Sequence, residues 1–267
     1  MTLRIGWYTT RGRSSRAMFE SVLAAIRAGS LDAEIAYVFS NRDPGEDPVT
    51  DAFFDLVRSE DIPLLTASSV AFRKAHGGAR SKPGEPLPAW REAFDAEVAR
   101  LVDAHAADLG VLAGYMLIFT PAFVERHPIV NLHPALPGGP VGTYAEVIRE
   151  LIRNGAKESG VMLNVAIPEV DMGPVAAFAR YPITGGAFDV AREASRTTSG
   201  EADDASLDAT PLFALIREAQ VAHEAPFLAA ALQAFADGRL RLEGGAVVAA
   251  TALPLDLSAD VAAHVSV

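Results

Sequence analysis

The sequence predicts an α/β fold: an open, mostly parallel twisted sheet flanked by helices, with a C-terminal β-hairpin and helix. Two observations carry this. Apolar runs of strand length alternate with segments of helical periodicity over the first half of the chain, separated by polar turns bearing Gly or Pro. The 267 residues, half of them apolar, are enough to bury one large α/β core or two small ones.

Leu3 to Thr9 reads as a buried first strand, followed by the polar turn Thr10-Arg11-Gly12-Arg13-Ser14-Ser15. A helix follows, because Phe19, Val22, Leu23 and Ile26 fall on one face at i, i+3, i+4 and i+7. Ala33 to Phe39 is a second strand ended by turn chemistry, Ala52 to Val57 is helical, and Ile62 to Leu65 is a short third strand. This β-α-β-α-β order requires crossover connections and hence parallel strands. Residues 73–88, rich in Gly and Pro, break the rhythm as a loop or lid. Phe94, Val98, Leu101 and Val102 mark the next helix, Asp108 to Ala113 the next strand, and Thr120-Pro121 opens a short helix through Val124. Ile129 to His133 is a strand that ends at Pro134.

The second half has a different texture. Residues 143–153 are helical, and Val161 to Ile167 alternates like a strand in a half-exposed sheet. Val175 to Tyr181 returns from the tight turn Val170-Asp171-Met172-Gly173. Residues 184–207 are small, polar and acidic, and read as a mobile loop. A helix from Leu212 to about Phe235 is expected to kink or break at Pro226, and two short strands after Gly238 close the chain.

The formal net charge is −11 and no Lys/Arg-rich run gathers the positives. That argues against nucleic acid as the main ligand, because phosphate neutralisation needs a concentrated basic surface. The absence of cysteine excludes disulfides and thiolate chemistry. The first residues lack the order of a signal peptide, and no apolar run approaches the roughly 20 residues that span a bilayer. A cytoplasmic protein with no membrane partner is expected.

Three features carry chemistry. The turn with Gly12 and its hydroxyls, placed between a strand and a helix, can cradle an anion with backbone N–H groups; an ordinary capped turn fits equally well. It has neither the spaced glycines of a dinucleotide site nor the Lys of a P-loop. Asn131 and His133 lie two apart at the carboxyl end of a strand, so both side chains point to one face. An amide and an imidazole aimed together can stabilise an oxyanion, although a hydrogen-bonded structural histidine suits the same position. Asp171 sits in a Gly-containing turn, where an Asp is commonplace.

The combination resembles a known family. Ala113 to Val124, then Asn131-Leu132-His133-Pro134-Ala135-Leu136-Pro137, then Val170-Asp171-Met172-Gly173-Pro174-Val175 match the phosphoribosylglycinamide formyltransferase family in order and spacing. The resemblance runs from the first strand to about Leu240 and implies a Rossmann-like formyltransferase fold. Residues 1–240 would form one domain, its part up to about 130 on the substrate-phosphate side and 131–240 on the catalytic and folate side, with 241–267 as a C-terminal extension. It implies 10-formyltetrahydrofolate as co-substrate and a small, phosphorylated amine as acceptor, with no metal, in a monomer or homodimer. Asn131 would donate to the developing oxyanion, His133 would stabilise the same charge, and Asp171 would hold His133 charged and help move the amine's proton. Met116, Leu117, Ile118 and Phe119 occupy the pteridine-lining segment, and Ile167 to Val170 lead into the loop closing it. Arg91 matches an Arg that contacts the cofactor, a first-turn surface Arg being the plainer reading.

The acceptor side departs from the pattern. The phosphate turn, Ser-Gly-x-Gly-Ser-Asn in the family, has lost a glycine to Ser14, so Gly12, Arg13, Ser14 and Ser15 hold the substrate positions with arginines about them. Leu117 stands where the family typically has Arg, and Gly138 to Tyr144 replace bulkier, basic residues. In the late helix Gln220 is kept, but the acidic residue for the ribose aligns with Val221, leaving Glu218 or Glu224 as substitutes under another register. Phosphoribosylglycinamide is the named acceptor expected, with another amine such as an amino sugar as the alternative, and a non-catalytic folate- or nucleotide-binding protein as the rival class.

Overall fold

The computed structural model describes residues 2–81, 85–169, 172–196 and 203–265. The first half runs β1 (Leu3–Thr9), α1 (Gly12–Arg27), β2 (Ala33–Ser40), α2 (Pro48–Ser59), β3 (Leu64–Thr66), α3 (Ser69–Ala75), α4 (Trp90–Val102), β4 (Leu109–Leu112), α5 (Pro121–Arg126) and β5 (Ile129–His133). The second half runs α6 (Tyr144–Arg153), β6 (Glu158–Val165), β7 (Val175–Pro182), α7 (Gly186–Arg196), α8 (Asp204–Asp208) and α9 (Pro211–Ala236). It ends with β8 (Leu240–Glu243), β9 (Ala246–Ala249), β10 (Leu255–Asp256) and α10 (Ser258–Ala262).

One eight-stranded sheet has the order β10-β7-β6-β5-β4-β1-β2-β3, and β8 and β9 form a separate hairpin. β3, β2, β1, β4 and β5 pair in parallel, whereas β6 pairs antiparallel with both β5 and β7. The chain leaves β1 first towards β2 and later returns to β4 on its other side. That reversal opens a crevice at the carboxyl ends of β1 and β4, the usual ligand position of such sheets.

Alternation along the strands builds two cores. Ile5, Trp7, Val111, Val130 and Leu163 pack with Phe19, Phe53, Phe54, Phe227 and Leu228 from α1, α2 and α9. Tyr8, Tyr37, Phe39, Leu112 and Ile129 face the other way, against Phe94, Val98, Phe119 and Phe123. Gly12 lets α1 approach α2 closely, since a Cβ there would lie 2.2 Å from the Cβ of Phe53.

Four expectations need correction. β6 is buried on both faces, Met162 and Asn164 included, because it is an interior strand between β5 and β7. Residues 184–207 are not a loop throughout. Phe188 and Ala191 seat α7 against Val147, Ile148 and Ile216, and α8 is tied to α6 by Arg149 with Asp204 and Asp208. α9 is continuous through Pro226. The proline removes one intrahelical N–H, but the fully buried Phe227 and Leu228 beside it hold the helix to the sheet. Finally, β10 pairs in parallel with β7, so the C-terminal extension adds a strand to the main sheet.

Candidate active site

The site is built at the carboxyl end of β5. Asn131 and His133 share the face of Ile129, as period two requires. Asn131 lies opposite Asn164 in the β5–β6 ladder, and its Nδ2 approaches Asn164 Oδ1 at 3.5 Å. His133 is only 3% exposed, with Nε2 2.9 Å from the carbonyl of Pro140. A carbonyl only accepts, so Nε2 carries a proton in this arrangement. The loop returns over the imidazole because Gly138 and Gly142 take φ of 74° and 105°, conformations unfavourable for other residues. Two N–H donors are thus held side by side, the equipment for stabilising an oxyanion. Val170 and Asp171 lie outside the described residues.

A second wall comes from the segment after β4. The N–H of Thr10 donates to the carbonyl of Gly114 at 3.1 Å, and the N–H of Met116 donates to Thr10 Oγ1 at 2.8 Å. These bonds join the end of β1 to the Gly114–Thr120 stretch. Met116 and Ile118 are exposed apolar side chains, whereas Leu117 packs partly into the second core. Phe119 does not face a ligand. It is buried between Tyr115 and Phe123, with ring centroids 4.7 and 4.0 Å away.

Arg91 fits neither sequence reading. It is 1% exposed, and its Nη2 donates to the carbonyl of Ile118 at 2.5 Å and lies 3.4 Å from Asp95 Oδ1. Asp95 Oδ2 accepts from the N–H of Thr120 at 2.6 Å. Burial pushes the Asp95 carboxyl up, while Thr120 and Arg91 oppose the rise. The pair therefore clamps the 114–120 wall from beneath. Asp95 was missed, although Arg91 and Asp95 stand i, i+4 on the apolar stripe of α4.

A separate cleft of 340 Å³ lies at the opposite, amino end of β5, bounded by Val124 to Ile129 on one side and Val165 to Pro168 on the other. Gly244 and Gly245, from the β8–β9 turn, reach its rim.

On the other side of β5 stands the N-terminus of α1. Arg11 at the cap position makes no side-chain cap, and the first turn has no acidic residue. Gly12, Arg13 and Ser14 form that turn, so its N–H groups await a negative partner. The hydroxyl of Ser15 is committed elsewhere: it is buried and accepts from the indole N–H of Trp7 at 2.8 Å. That bond removes its side chain from the substrate positions expected.

α9 completes the arrangement. Gln220 is buried, and its Nε2 donates to the carbonyl of Pro134, next to His133, at 3.3 Å. Helical spacing places Arg217, Gln220 and Glu224 on one face. Glu224 is 7% exposed, whereas Val221 is 43% exposed and Glu218 faces solvent. The buried carboxylate on the face of Gln220 is therefore Glu224, one of the two substitutes expected for the valine at 221. Burial pushes the Glu224 carboxyl up and Arg217, at 3.1 Å, draws it down. Among the described residues no group of His, Asp and Glu could hold a metal ion, and no helix is long and apolar enough to cross a membrane.

Comparison with known proteins matches residues 13–201 to the family described as formyl transferase. The phosphoribosylglycinamide formyltransferase of Escherichia coli (strain K12) is 29% identical over 170 residues, spanning 62% of this chain and 68% of that protein. The formyltetrahydrofolate deformylase of the same strain is 30% identical over 149 residues, 55% of this chain and 44% of that protein. The crystal structure of glycinamide ribonucleotide transformylase 1 from Symbiobacterium toebii superposes with a TM-score of 0.64 at 24% identity, covering 93% of this chain and 94% of that one.

Proposed function

The chain belongs to the formyl transferase family, and from that premise we propose that it moves a formyl group from 10-formyltetrahydrofolate to a primary amine, phosphoribosylglycinamide being the acceptor. The observation that carries the reading is the pair Asn131 and His133, set together at the end of β5 between the two walls. Met116 and Ile118, exposed apolar side chains on the segment that follows β4, suit contact with a flat heteroaromatic ring.

The co-substrate supplies a formyl carbon activated towards a nucleophilic amine. The Asn131 amide donates to the oxygen on which negative charge develops, and the His133 N–H donates to the same oxygen once it leaves Pro140. Asp171 accepts the proton leaving the amine. The open end of α1 takes the acceptor's phosphate, while Gln220 and Glu224 take its hydroxyls. The same reading makes this a cytoplasmic enzyme of one-carbon metabolism and purine biosynthesis.

Differential ligand stabilisation tests the donor. Saturating reduced folate, at about 100 times its Kd, is expected to add roughly 2.7 kcal/mol and several degrees of melting temperature. Nicotinamide dinucleotides should add nothing. A shift with the nicotinamides and none with folate sinks the reading.

A further inference from the structure

We propose that Arg217 is a positioning residue for the amine substrate, holding the Glu224 carboxylate in place and ionised beside the loop that follows His133. This rests on the formyl-transfer reading and sharpens it at the acceptor side.

Arg217 joins three groups. Its Nη1 donates to Glu224 Oε1 at 3.1 Å and lies 3.4 Å from Gln220 Oε1, and its guanidinium sits 4.2 Å over the ring of Tyr144. Tyr144 begins α6 directly after the Gly138–Gly142 loop, and Gln220 holds that loop's other end through Pro134. The guanidinium therefore fixes α9 against both ends of the loop that covers the imidazole.

Charge makes the same point. A carboxylate this buried is unfavourable unless a cation faces it, and an apolar side chain would serve packing alone as well or better. Glu224 is faced on its own helix by Arg217 and Gln220 and from β7 by Tyr181, whose ring stacks on His223 at 3.9 Å. The Tyr181 phenol is never cationic and burial pushes the His223 imidazole down, so neither supplies positive charge at neutral pH. Arg217 is the cation that offsets the desolvation of Glu224. It occupies Oε1 and leaves Oε2 without a donor among the described residues, on a side chain that keeps 10% of its surface open. An acceptor-only oxygen of that kind takes a hydroxyl or ammonium of the incoming amine.

Steady-state kinetics of formyl transfer in the full chain, run across pH for the wild type, Arg217→Met, Arg217→Lys and Glu224→Gln, test this. Arg217→Met should raise the KM for the amine about tenfold or more, with kcat and the folate KM within about twofold. It should also acquire a loss of kcat/KM for the amine as pH falls, because Glu224 without its cation protonates at higher pH than in the wild type. Glu224→Gln should lack that acid limb, and Arg217→Lys should recover part of the affinity and remove the limb. Melting temperatures identify any variant that fails to fold, and Arg217→Lys then carries the comparison. An active Arg217→Met with unchanged amine KM and pH profile overturns the assignment and leaves formyl transfer standing. A wild type that transfers formyl to no amine overturns both.

Discussion

His133→Ala is expected to lower kcat for formyl transfer by about 10²–10³-fold, with the folate KM little changed. The imidazole is the more deeply buried of the two donors, and its N–H rests on the carbonyl of Pro140 until substrate displaces it. Its removal leaves that carbonyl without a donor, at about 1–3 kcal/mol of stability. The fold, held by two aromatic and aliphatic cores elsewhere, should persist. Asn131→Ala should fall in the same range, and the double variant should lose much less than the product of the two effects, since both donors serve one oxygen. Single-turnover rates beside melting curves make the comparison. Wild-type turnover in His133→Ala would contradict the mechanism.

The largest stability effect is expected from Arg91→Met. Arg91 and Asp95 are both almost fully buried, and removing one partner strands the other's charge, typically at about 3–5 kcal/mol. The sign of the pH dependence follows from Asp95. Burial raises its folded-state pKa, so the folded protein holds the proton more tightly than the unfolded chain. Without Arg91 that rise grows. The deficit of Arg91→Met should therefore be greatest at neutral pH and shrink as pH falls towards the ordinary carboxylate range. Urea unfolding at several pH values measures this, and a deficit independent of pH would place the loss in packing alone. Folate affinity should weaken too, since the bond to Ile118 and the bond to Thr120 both go slack.

Much of this molecule was legible before any coordinates. Apolar runs separated by turns gave the first five strands and their parallel order, and period two put Asn131 and His133 on one face. What escaped has physical reasons. α7 carries mostly small and polar residues, with Phe188 and Ala191 as its apolar anchors, so its periodicity is faint. β10 is two residues long and exists only because β7 offers an edge. α9 is so rich in alanine that its sequence does not mark a buried face, so Glu218 and Glu224 stood as equal substitutes for the valine at 221 until burial separated them. Arg91 was matched by resemblance to a cofactor-contacting Arg, with a first-turn surface Arg as the plainer reading, although its place on the stripe of Phe94 and Val98 put it inside. Charged residues on an apolar stripe are where pattern and residue type disagree, and here the pattern was right.

The central claim is tested most directly by following tetrahydrofolate release from 10-formyltetrahydrofolate, by absorbance, with phosphoribosylglycinamide added or withheld. The account predicts release that depends on the amine, saturates with it, and collapses in Asn131→Ala and His133→Ala. Tight folate binding with no release in the presence of phosphoribosylglycinamide, amino sugars or other small amines would contradict it.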